Sequence, residues 1–236
     1  MEWTGWLEAA GKGATLVASV MAIVGIGTWR RDFSGKRNIE LAEETLILFY
    51  RAADAIRAMR SPGAFEHEFA HVVQKDGESP HTFTARKMVA PLFQRHEHYS
   101  ELFASIQATR YRYMARFGKN AGAPFDDLRR LDVRILVTAR GYVRLSTQYD
   151  PEGIPGVAER QREGMERNEA VFWDSGDDDE INTELKRIVA VVEGQCRGII
   201  ESQFLLRSWW RWVAERSKRL ATAVRKRFPN RKLTHS

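Results

Sequence analysis

The chain has 236 residues, 43% hydrophobic and 29% charged, with seven tryptophans, one cysteine and a net charge of +6. These proportions exclude a wholly disordered polymer and leave room for one sizeable domain with appendages. With Cys196 as its one thiol the chain forms no intramolecular disulfide and suits a reducing compartment.

Residues 1–12 read as a short extracytoplasmic or interfacial N-terminus. Residues 13–29, GATLVASVMAIVGIGTW, then run for 17 positions without a charge. As a helix that run is about 25 Å long, against roughly 30 Å of hydrocarbon core. Lys12 can snorkel toward the headgroups, and Trp6 and Trp29 suit the two interfaces. No A-x-A-like cleavage site follows, so the expectation is an uncleaved transmembrane helix. Arg30, Arg31, Lys36 and Arg37 against Asp32 put the following body on the cytoplasmic side of an inner (plasma) membrane, with the N-terminus outside. Ala14, Ala18 and Ala22 form a line of small residues on which two such helices could self-associate.

Residues 36–203 read as a cytoplasmic helical bundle. Leu41, Thr45, Leu48, Ala52, Ile56 and Met59 recur at three or four positions until Pro62-Gly63 stops the helix. A loop region runs to about residue 82. A second stripe, Leu92, His96, Tyr99, Phe103, Ile106, Tyr113 and Phe117, predicts one helix that ends at Gly118, with Pro91 in its first turn or at a kink. Pro124 and Asp126 open another, with Leu128, Leu131, Ile135, Ala139, Tyr142 and Val143 on one side. A short helix is expected over 159–173. The acids Asp177, Asp178, Asp179 and Glu180 stand where the last helix begins, and Ile181, Leu185, Ile188, Val192, Cys196 and Ile199 continue along it. With no sustained strand alternation, the fold class is all-α, an antiparallel bundle with long helices.

His67-Glu68-Phe69-Ala70-His71 matches H-E-x-x-H. On a helix over 64–75 the two histidines would share a face and hold one zinc, with Glu68 beside a metal-bound water as general base. Over these few residues the chain resembles the zincin metallopeptidases. Glu97, in a segment resembling the E-x-x-S-D helix of thermolysin-like enzymes, would then be the third ligand. The bland alternative is a short amphipathic segment with solvated histidines. No G-x-G-x-x-G, complete P-loop or G-x-S-x-G is present.

Residues 204–236 carry ten Lys or Arg against Glu215, a charge of +9 that leaves −3 for the first 203 residues. On a helical wheel Trp209, Trp210 and Trp212 fall on an apolar face, and Arg207, Arg211, Lys218 and Arg219 lie opposite. Such a helix suits the plane of a bilayer rich in anionic lipid headgroups, each nearby cation contributing about 1 kcal/mol. The other reading is a bundle helix with solvated charges. Basic side chains interleaved with aromatics can also hold single-stranded nucleic acid, but no nucleic-acid module is recognisable.

The succession ELAEETLILFYRAADAIRAMRSPGAF, YRYMARFGKNAGAPFDDL and NEAVFW resembles a set of uncharacterised bacterial single-pass membrane proteins over most of residues 36–175. The resemblance implies a helical body behind one membrane helix, and no activity. The sequence thus points to a non-enzymatic tether or interaction module without a cofactor, or alternatively to a membrane-tethered zinc hydrolase.

Overall fold

The computed structural model describes residues 33–150, 154–176 and 179–227; beyond residue 202 the side chains described are those of Trp212, Glu215 and Arg216. The described residues are all-helical, with seven α-helices and no strand among them. Helix α1 covers 33–60, α2 Glu66–Phe69, α3 Pro80–His98, α4 Ser100–Phe117, α5 Ala123–Gln148, α6 Pro155–Phe172 and α7 Glu180–Arg227. A 3-10 turn, Lys119–Gly122, joins α4 to α5.

Local chemistry sets the ends of these helices. The Ser79 side chain accepts a hydrogen bond from the Thr82 N–H at 3.1 Å, and Pro80 occupies the first helical position of α3. Helix α4 stops at Gly118, whose φ of 95° and ψ of 162° lie where a Cβ is poorly tolerated. Asp179 caps α7, its carboxylate accepting from the Asn182 N–H at 2.6 Å.

Most positions of the stripes expected from the sequence are buried. Leu41, Thr45, Leu48, Ala52, Ile56 and Met59 are all buried, as are Leu128, Leu131, Ile135, Ala139 and Tyr142 of α5 and Ile181, Leu185, Ile188, Val192 and Cys196 of α7. Aromatic edges lock the helices together: Phe49 meets Phe125 edge-on at 4.9 Å, and Tyr142 meets Phe172 at 5.2 Å. Charged pairs follow at the rim, including Arg134 with Glu180 and Arg187 with Asp127.

Three sequence expectations need correction. The stripe from Leu92 to Phe117 belongs to two helices, because Tyr99 at φ −94° and ψ 6° breaks the run. Pro91 is buried well inside α3 rather than in its first turn; it cannot supply the N–H that the Lys87 carbonyl would otherwise accept. Helix α6 starts at Pro155 rather than residue 159. Helix α7 runs unbroken from Glu180 to Arg227.

By packing, Glu43–Cys196 form one compact unit, while 33–42 and α7 from Arg197 onward belong to another. Among the described residues no helix is long and apolar enough to cross a membrane. The expected span, 13–29, lies outside them.

Candidate functional site

The segment that carries HEFAH folds as a capped turn. The expected helix over 64–75 shrinks to Glu66–Phe69, and the Ala70 N–H to Glu66 carbonyl bond at 2.9 Å is followed by a turn from Val72 to Phe69. A helix confined between Pro62-Gly63 and Gly77 has few turns over which to offset its nucleation cost, and Val72-Val73 are weak helix formers. His71 therefore lies beyond the helix end, and the two histidines do not project from consecutive turns of one helix.

Glu68 is buried and fully engaged. Its Oε1 accepts from Arg95 Nε at 2.6 Å, its Oε2 from Arg95 Nη2 at 2.7 Å, and Oε2 also accepts from the Phe65 N–H at 2.8 Å. The last bond is the backward-reaching half of a capping box. The Arg95 hydrogen bond, opposed by burial and helped by the Phe65 N–H, holds the carboxyl down to about 2. Arg95 in turn donates to the carbonyls of Ala58, Ser61 and Gly63. Such a carboxylate is a counterion for a guanidinium, and its low proton affinity unsuits it to the general-base role sketched from the sequence.

The histidines diverge. His67 is exposed, stacks on Phe65 at 5.8 Å and lines a hollow with Arg95, His98 and Tyr99. His71 and Glu97, the expected third ligand, line a different groove of about 670 Å³ with Phe93 and Arg140. Among the described residues no three His, Cys, Asp or Glu side chains gather closely enough to hold a metal ion.

A second polar lock, missed by the sequence reading, sits at the end of α1. Arg60 is fully buried. Its Nη2 donates to Asp179 Oδ2 at 2.7 Å and to the Trp173 carbonyl at 2.7 Å, its Nη1 to Asp179 Oδ1 at 3.2 Å, and its Nε to the Val171 carbonyl at 2.9 Å. Asp174 closes the loop by donating its N–H to the Arg60 carbonyl at 2.8 Å. One guanidinium thus ties α1 to the irregular chain between α6 and α7. The signal was present in the sequence, since Arg60 stands four residues after Ile56 on an apolar stripe.

These two locks frame an aromatic groove of about 750 Å³. Phe69, Phe83 and Met88 of α3, and Trp173 line it. All four are half-buried. Lys87 places its ammonium 4.8 Å from the Phe69 ring centroid and 5.7 Å from that of Phe83, within cation–π range.

At the basic end, the α7 backbone stays helical through Trp209, Trp210, Arg207, Arg211, Lys218 and Arg219, whose side chains lie outside the described ones. Trp212 is 55% exposed, and the Arg216 guanidinium lies 5.0 Å from its ring centroid. Trp6, Trp29, Arg30 and Arg31 fall outside the described residues. No protein-family model, curated protein or solved structure matches the chain.

Proposed function

We propose that this chain is a non-enzymatic helical module anchored in a bacterial inner membrane by residues 13–29. Its compact unit faces the cytoplasm, and the end of α7 rests on anionic headgroups. The observation that carries the reading is Trp212, a large apolar ring left 55% exposed on a long cationic helix with Arg216 over its face. That pairing matches the interfacial pattern, with an aromatic at headgroup depth and a cation beside the lipid phosphates. The uncharged run followed by Arg30 and Arg31 would deliver this helix to the leaflet where anionic lipids are found.

Protease accessibility in membrane vesicles tests it. In inverted inner-membrane vesicles the C-terminal end should be cleaved and the N-terminus protected, and the chain should stay in the pellet without detergent. Recovery of the full-length chain in the supernatant would overturn the reading.

A further inference from the structure

We propose that the groove between Phe69 and Trp173 is a binding site for a small single-chain carboxylate with an alkyl or arylalkyl body. Its volume, about 750 Å³, lies inside the about 300–1,000 Å³ range of small-ligand pockets. Its lining has the composition such pockets need. Phe69, Phe83, Met88 and Trp173 supply a mostly apolar bed, and each is left half-buried although the fold has a core able to take large side chains.

The charge at the groove sets the polarity of the occupant. No carboxylate, carbonyl or hydroxyl oxygen pairs with Lys87 among the described residues; its ammonium rests on two ring faces instead. A carboxylate head can ion-pair with that ammonium while its chain covers the same rings, so both halves of an amphiphilic anion are met at once. The second charge, Glu169, lines this groove and the neighbouring one, where its field helps to raise the Tyr142 hydroxyl above its ordinary range, after burial. Glu169 would repel the anion weakly, and this fixes the sign expected of its removal.

The walls are already in place. Arg60 holds the carbonyls of Val171 and Trp173, and Arg95 holds Glu68 next to Phe69, so neither irregular segment has to be ordered on binding. This gives the Glu68 of HEFAH a role: it positions Phe69.

Calorimetric titration of the full-length chain with octanoate, octanamide and octylammonium tests the proposal. Octanoate should bind saturably at one site. Lys87→Gln should weaken it about tenfold, to the level of octanamide. Glu169→Gln should tighten octanoate, and Trp173→Ala should weaken acid and amide alike. Circular dichroism should be unchanged in Lys87→Gln, whose side chain is outside the core. Octanoate that gives no saturable heat, that binds Lys87→Gln as tightly as the parent, or that is matched by octylammonium would overturn the assignment.

Discussion

Arg60 and Asp179 face each other through two hydrogen bonds, at 3.2 and 2.7 Å, with side chains 0% and 4% exposed. The same carboxylate caps α7, so one acidic side chain ends a loop, begins a helix and neutralises a buried cation. Removing the guanidinium strands Asp179 and the carbonyls of Val171 and Trp173 away from water. Arg60→Ala should therefore cost about 3–5 kcal/mol, as a lower midpoint in urea unfolding. Arg60→Lys keeps the charge without the planar fork and should fall in between.

Acid should undo both locks. For Asp179, burial works against ionisation, but the Arg60 hydrogen bond and the Asn182 and Ser175 N–H groups outweigh it and hold the carboxyl below its ordinary range. Glu68 falls from 4.5 to about 2. A carboxyl depressed in the folded chain contributes stability above its unfolded value and loses it as pH drops through the folded one. Asp132 carries the opposite sign, because burial raises it even though His96 lies 3.3 Å away. The melting temperature should fall from about pH 4.5 towards about pH 2, and Glu68→Gln should flatten that limb. A parent and variant with parallel pH profiles would rule out the Glu68 contribution.

Gly118 is the third point of constraint. At φ 95° and ψ 162° it occupies backbone space that only glycine enters easily, although a Cβ there would touch nothing. Gly118→Ala should cost about 1–3 kcal/mol through strain alone. Gly156→Ala, where a Cβ also meets open space but φ is not positive, serves as the control and should stay within about 0.5 kcal/mol.

Periodicity made the helices legible: every α1 residue on the expected stripe is buried, and Gly118 stops α4 where its composition says it should. Spacing was silent where one residue's dihedral decides, as at Tyr99, since nothing about a tyrosine announces a ψ near zero. The arginines were hidden for another reason. A charge on an apolar stripe reads as solvated until its partners are known, and those of Arg60 lie more than a hundred positions away. The groove inherits that difficulty, because Phe69, Lys87 and Trp173 stand far apart in the sequence and share a lining only in the folded chain. For HEFAH the spacing was right and the helix it presupposes was not formed.

That difference yields the most direct test of what HEFAH does. In the folded chain Glu68 is buried and bound to Arg95, whereas His67 and His71 are exposed and lie at separate hollows. Substituting both histidines by alanine should thus change unfolding free energy by less than about 0.5 kcal/mol, the ordinary scale for surface positions. Glu68→Ala leaves Arg95 without its carboxylate and Phe65 without its cap, and should cost roughly 1–3 kcal/mol. A zinc site would reverse the order: the double histidine variant would lose both metal and stability, and a chelator would lower the melting temperature of the parent but not of the variant. Urea unfolding of the three proteins, with and without chelator, reads both patterns. The physical expectation is that the acid matters and the histidines do not, because in this turn the acid is buried and has an ion pair to lose.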